Sequence, residues 1–220
     1  MRISDWDVDR EAVVKATLLS KKPAAGSFAV ALVSVSFLFA ASLLYWTDAF
    51  GVAAFLPASR ESVFFRGEYW RLLTSIFIHA DFGHFLSNGI VFGVLSFLLF
   101  AYYGPAVYPI LTFAFGALVT GLSLRTYPAR TQLVGASGVV YLMAGFWLVL
   151  YLLIERRLSI KKRLVRAVGF GLIVLLPTAV EPAVSYRTHF IGFVVGAAFG
   201  FAYFSKRKEA LRAAERVELE

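Results

Sequence analysis

The chain has 220 residues, of which 59% are hydrophobic, and its mean hydropathy is +0.72. A soluble domain of this size cannot hide that much apolar surface, so the composition excludes a soluble globular protein and indicates a membrane protein. The net charge of +8 comes from short basic segments between apolar runs, which is the pattern of membrane topology signals rather than of nucleic-acid binding. The chain has no cysteine, which excludes disulfides and thiol chemistry.

The first third of the chain predicts a tail, one span and a long loop. Residues 1–27 are polar and mixed in charge, and we predict a surface helix over 9–20. The run 28–46 has no charged residue and about the length that crosses a bilayer core. Residues 47–81 alternate aromatic and charged side chains, which predicts a first loop lying in the membrane interface. Within this loop, Trp70 and Arg71 are interpreted as interfacial anchors.

Five further spans are predicted after this loop. Residues 82–124 carry no charge but are too long for one helix, and Tyr103-Gly104-Pro105 divides them into spans at about 83–102 and 106–124. Later spans begin at Gly135 or Ser137 and end at 154, and cover 167–180 and 188–205. The run 167–180 is short for a span and contains Pro177. Residues 206–220 form a charged tail, in which we predict a surface helix.

The pattern predicts an all-α polytopic membrane protein with six transmembrane helices. The membrane domain covers 28–205, between tails at 1–27 and 206–220. Most of the 22 basic residues fall on one side if the N-terminus is internal, so the positive-inside rule predicts that both termini are cytoplasmic. We expect the membrane to be the plasma membrane. Without a span at 167–180, the basic loop before it and the basic tail would lie on opposite sides, which supports that span.

Five polar residues fall at the outer ends of predicted spans. His79, His84 and Asn88 lie near the outer end of span 2, Ser137 near that of span 4, and His189 near that of span 6. These three spans run in the same direction, so all five side chains are expected in one leaflet. Polar groups in hydrocarbon are costly and are usually functional.

The helical spacing of these residues favours a common site. His84 and Asn88 are separated by four residues, as are Ser137 and Tyr141, so each pair shares one helix face. Small residues that let helix backbones approach closely line spans 4 and 6; they are Gly135, Gly138, Gly145, Gly192, Gly196 and Gly200. Close packing of spans 4 and 6 would allow His189 to reach Ser137.

The chemistry that this arrangement permits is acyl transfer. A serine hydroxyl becomes nucleophilic when a base takes its proton, and His189 is the candidate base on a partner span. The predicted spans contain no Asp or Glu, so we expect a Ser–His dyad rather than a triad. His84, Asn88 and the Ser137 backbone N–H are candidate oxyanion donors. Tyr141 is expected to stack on the His189 ring.

These residues resemble the rhomboid intramembrane serine proteases of the basic six-span type. The resemblance rests on Gly135-Ala136-Ser137-Gly138, on His79, His84 and Asn88, on His189 with Gly192 and Gly196, and on Trp70-Arg71. It covers about 28–205. It implies that Ser137 is the nucleophile, that His189 is the general base, and that His84, Asn88 and the Ser137 amide form the oxyanion hole. It further implies that His79 is structural and hydrogen-bonds the loop near the site.

The resemblance also implies cleavage of single-span membrane proteins, without a cofactor or a metal. The chain departs from the family pattern at Thr188, where a small residue is usual, and at 99–103, where an acidic residue is common. We predict that span 5 and the loop 181–187 move to admit the substrate, because span 5 is short and lacks the polar and glycine ties of the other spans.

Two other functions are consistent with parts of the pattern. A catalytically inactive rhomboid-like protein would bind membrane clients, although such relatives usually lose the serine or the histidine, and this chain keeps both. A transporter or channel would carry polar residues through the full depth of the bundle, whereas here they cluster in one half.

Overall fold

The structure is a computed structural model that describes residues 12–179 and 185–219, with the side chains of 173–179 outside the description. Five segments in the described part are long and apolar enough to cross a membrane; they are Ser27–Trp46 (α1), Phe82–Tyr103 (α3), Ala106–Leu124, Ser137–Ile154 (α5) and Tyr186–Ala213 (α7). The third segment ends in the regular helix α4, Thr112–Leu124. The predicted fold class, an all-α polytopic membrane bundle, is confirmed.

The predicted span at 167–180 lies within helix α6, Ile160–Ala179. This helix has 20 residues, but its first seven include Lys161, Lys162, Arg163 and Arg166, which lower its hydropathy. It is therefore not among the five apolar segments. Residue 180 lies outside the described residues. The count of six spans stays a prediction.

The two tails pair with each other, which the sequence pattern did not predict. Strand β1, Ala12–Ala16, runs antiparallel to strand β2, Arg216–Leu219. The helix predicted over 9–20 is wrong from residue 12 onward, and the helix predicted for the C-terminal tail ends at Ala213. Both strands contain β-branched valine, which favours extended backbone, and their partners lie at opposite ends of the chain, beyond the reach of a local pattern.

The long first loop is folded rather than extended. Its regular segments are two 3₁₀ turns at Ala49–Gly51 and Ala53–Phe55, a π-helical turn at Glu61–Phe65, and helix α2 at Arg71–Phe77. Arg71 is 5% exposed; it donates to the carbonyls of Ala54 and Pro57, both at 2.9 Å, and to Glu68 Oε2 at 2.5 Å. Arg71 therefore holds the loop together from inside, which corrects its interpretation as an interfacial anchor.

Helix α5 occupies the centre of the bundle and contacts α3, α4, α6 and α7. Its closest neighbour is α7, because glycines of one helix lie directly on the backbone of the other. A Cβ atom at Gly192 would collide with the Gly138 carbonyl oxygen, and a Cβ atom at Gly196 with the Leu142 carbonyl oxygen. A Cβ atom at Gly145 would meet the Phe193 carbonyl oxygen in the same way. This glycine contact fixes the position of α7 against α5.

Candidate active site

Ser137 is the first residue of α5 and follows a constrained turn. Gly135 has φ of 111°, a backbone conformation that side chains other than glycine rarely adopt. Its amide N–H donates to the Ser75 carbonyl at 2.9 Å, which ties the turn to α2. A Cβ atom at Gly135 would lie 2.7 Å from His84 Cε1, so the position is also closed sterically. Glycine at 135 therefore allows the His84 ring to approach the start of α5.

His189 lies in the first turn of α7 and stacks on Tyr141 of α5. The two ring centroids are 4.0 Å apart and the ring planes differ by 14°. Because Ser137 and Tyr141 are four residues apart on α5, the imidazole lies against the helix face that carries Ser137. His189 is 5% exposed, and its Nδ1 atom has no hydrogen-bond partner among the described residues.

His84 and Asn88 share one face of α3 beside the Gly135 turn. The backbone N–H of Ala80 donates to His84 Nδ1 at 3.4 Å, so the neutral ring carries its hydrogen on Nε2. A Cβ atom at Gly135 would lie 2.9 Å from that Nε2 atom, which places this donor near the start of α5. Asn88 donates from Nδ2 to the His84 carbonyl at 2.9 Å, and a second hydrogen remains on the same nitrogen.

His79 connects three parts of the chain from a buried position. Its Nε2 atom accepts from the Ala136 backbone N–H at 3.3 Å, and its Nδ1 atom lies 3.0 Å from Ser42 Oγ on α1. Its carbonyl accepts from Trp46 Nε1 at 2.7 Å. Burial, with His84 as a second cause, lowers the pKa of His79 to about 3. The neutral ring can accept at Nε2 while it donates at Nδ1, which a charged ring cannot do.

The first turn of α7 is tied to the loop between α4 and α5, a feature that the sequence interpretation missed. Tyr127 Oη lies 2.6 Å from Ser185 Oγ, and the Ser185 hydroxyl donates to Thr188 Oγ1. The Ser185 carbonyl accepts the backbone N–H of His189 at 3.1 Å. Arg187 lies over the Tyr127 ring at 5.4 Å. Polar residues beside a candidate catalytic histidine are the only sequence signal for this network.

Thr188, one of the two departures from the family pattern, is the buried end of this network. Its Cγ2 atom would lie 2.9 Å from a Cβ atom at Gly138, so the threonine methyl packs on the residue after Ser137.

The other departure lies at the far end of α3, where Tyr103 packs edge-on against Phe146 and Tyr203, with centroid distances of 5.4 and 5.7 Å. Aromatic packing occupies the end of the helix where the family commonly has an acidic residue.

A small cavity of about 30 Å³ lies beside Ser137. Five of the residues that line it carry a hydroxyl group; they are Ser75, Thr120, Ser137, Ser185 and Thr188. A cavity of this size and polarity can hold a water molecule. The described residues contain no cluster of His, Cys, Asp or Glu that could bind a metal ion.

The Rhomboid domain family matches residues 66–206, which is more than half of the chain. The chain belongs to the rhomboid family. Comparison with curated proteins gives no match. Rhomboid proteins are in general intramembrane serine proteases, and inactive members also occur. The matched region of this rhomboid protein extends from α2 through the membrane-spanning part of α7, and it includes Ser137, His189, His84 and Asn88.

Proposed function

We propose that this rhomboid protein is an intramembrane serine endopeptidase with Ser137 as nucleophile and His189 as general base. The proposal depends above all on one observation, the stacking of His189 on Tyr141 one helical turn from Ser137. The glycine contacts between α5 and α7 support it, because they bring the first turns of both helices together. The proposed substrates are single-span membrane proteins.

In the proposed mechanism, the Ser137 hydroxyl gives its proton to His189 while Oγ attacks the carbonyl carbon of the scissile peptide bond. The oxyanion accepts hydrogen bonds from the Ser137 backbone N–H, His84 Nε2–H and Asn88 Nδ2–H. When the C–N bond breaks, His189 returns the proton to the leaving amine and the acyl group remains on Ser137. Water then attacks the ester carbonyl while His189 takes a proton from the water. When the C–O bond to Ser137 breaks, His189 returns that proton to Ser137 Oγ, and the peptide leaves as a carboxylic acid.

Other residues support this chemistry by holding the reacting groups in place. His79 hydrogen-bonds the Ala136 amide and so holds the turn that precedes Ser137. Gly135 gives space to His84, and Gly138, Gly192 and Gly196 allow α7 to lie on α5. The hydroxyl-lined cavity beside Ser137 is suited to the water that deacylation consumes.

Substrate entry and orientation are also proposals. The predicted gate consists of span 5, at 167–180, and the loop 181–187, of which residues 180–184 lie outside the described residues. We retain two cytoplasmic termini, from the distribution of basic residues in the sequence, and we retain a plasma-membrane location. The active-site end of the bundle would then face the outer leaflet.

The test combines two measurements on purified full-length protein in detergent. A fluorophosphonate probe reports an activated serine, and cleavage of a generic single-span substrate reports peptidase activity. Ser137→Ala and His189→Ala should each lower both signals by at least about 10³-fold. Ser205→Ala is the matched control, because its exposed hydroxyl bonds only the Phe201 carbonyl of its own helix. Substrate that binds without Ser137-dependent cleavage would favour the client-binding alternative instead.

A further inference from the structure

A second cleft lies at the opposite end of α5 from Ser137, where α3, α5 and α6 meet. Its volume is about 360 Å³. Most of its lining is apolar or aromatic; the main contributors are Leu98, Trp147, Leu148, Tyr151, Phe170 and Arg166. Tyr151 follows Ser137 by fourteen residues, which is about 21 Å along the helix. The cleft is therefore separate from the candidate active site.

Among the described residues that line this cleft, Arg166 is the one that carries a charge. Lys162 precedes it by four residues, so both cations lie on the same face of α6. Both side chains are exposed, and neither has an ion-pair or hydrogen-bond partner among the described residues. Two adjacent positive charges are thus unneutralised at the mouth of an apolar cleft.

Of the neighbouring basic residues, Arg156, Arg157 and Arg163 have partners, and the exposed Lys161 lies on another face of α6. Arg156 pairs with Glu215 at 3.0 Å, and Arg157 pairs with Glu155 at 2.6 Å. Hydrogen bonds to Glu155 raise the pKa of Arg157. Lys162 and Arg166 are therefore the unpaired cations on the face of α6 that borders the cleft.

We propose that this cleft binds an anionic phospholipid, with its phosphate between Lys162 and Arg166 and an acyl chain against Trp147 and Phe170. The apolar walls match an acyl chain, and the two cations match a phosphate, which a guanidinium group binds in a bidentate manner. A zwitterionic lipid would bind less tightly, because its own cation would oppose the two protein cations. Tyr151 contributes to the wall of the cleft beside Trp147.

The test uses the full-length protein in uncharged detergent micelles and the fluorescence of Trp147. Phosphatidylglycerol with brominated acyl chains quenches a tryptophan that its chain contacts, and brominated phosphatidylcholine is the zwitterionic comparison. The difference in quenching between the wild type and Trp147→Phe measures lipid bound in the cleft. The charge variant is Lys162→Gln with Arg166→Gln. Its matched control is Lys206→Gln with Lys208→Gln, two exposed cations near the same end of the bundle.

We expect phosphatidylglycerol to bind at least ten-fold more tightly than phosphatidylcholine. Loss of both cations should raise the Kd for phosphatidylglycerol by about 30-fold, and the control variant should change it by less than two-fold. Soluble glycerol phosphate should not displace the lipid, because it has no acyl chain. The proposal is overturned if the two lipids quench equally, if the two double variants behave alike, or if glycerol phosphate competes.

Discussion

The glycine contact between α5 and α7 gives a sharp prediction for Gly196→Ala. The added methyl group would collide with the Leu142 carbonyl oxygen, which belongs to a helix backbone and cannot move alone. Overpacking of this kind costs about 1–3 kcal/mol, whereas alanine in place of glycine within a helix gains about 0.5–1 kcal/mol. The clash is the larger effect, so we expect the free energy of unfolding to fall by about 1–2 kcal/mol.

The same substitution should reduce proteolysis more than stability. To make room for the methyl group, α7 must move away from α5 and take His189 with it. A displacement of about 1 Å between reacting groups lowers a catalytic rate by about 10²-fold. Cleavage of a single-span substrate in liposomes measures this rate, and thermal unfolding in detergent measures stability.

Two further glycines serve as controls for this prediction. A Cβ atom at Gly200 would lie 3.0 Å from the Phe146 carbonyl oxygen, so Gly200→Ala should have an intermediate effect. A Cβ atom at Gly169 on α6 would have no neighbour within 4 Å among the described residues, so Gly169→Ala should leave both measurements near wild type. Wild-type cleavage and unchanged unfolding in Gly196→Ala would refute the idea that close backbone contact positions His189.

Two other substitutions test residues around the site. Tyr127→Phe removes the hydroxyl that bonds Ser185, so the first turn of α7 loses its tether, and we expect kcat to fall about ten-fold with little change in KM. The control is Tyr69→Phe, which changes an exposed tyrosine. An equal effect of both variants on kcat would contradict the role of Tyr127. The pKa of His79 is about 3 in the folded chain and 6.5 in the unfolded chain. Between these values the unfolded chain binds a proton that the folded chain does not. The free energy of unfolding should therefore fall by about 2 kcal/mol from pH 7 to pH 5. Unfolding by dodecyl sulfate at both pH values measures this loss, which should be smaller by about 2 kcal/mol in His79→Gln; a variant that keeps the full pH dependence would show that another group causes it.

The membrane-spanning helices were predictable because lipid imposes one continuous requirement on the chain. The part of a helix that lies in hydrocarbon must remain apolar, so charge-free runs mark the membrane-spanning parts of the helices, although α7 continues past its run to Ala213. The predicted spans 28–46 and 83–102 correspond to Ser27–Trp46 and Phe82–Tyr103, within one residue at each end. The fold class follows from the same requirement.

Contacts between distant parts of the chain were not predictable in this way. The pairing of β1 with β2 depends on two ends that meet only after the bundle has formed. The role of Arg71 depends on which loop carbonyls the folded chain turns toward it. Tyr127 and Ser185 lie in different loops, and neither has a spacing that indicates a hydrogen bond. For the candidate site, spacing pointed to the residues, but their catalytic roles stay proposals.

The strand pairing at the termini constrains how many times the chain traverses the bilayer. A two-stranded sheet has open edges, and open edges do not occur in hydrocarbon, so β1 and β2 lie together on one side. The path from Ala16 to Arg216 must then include an even number of crossings. The five apolar segments supply an odd number. The 20 residues of α6 extend about 30 Å, enough for one more crossing, so parity favours α6 as a true membrane-spanning helix. A variant in which α6 left the bilayer would also have to separate the two strands.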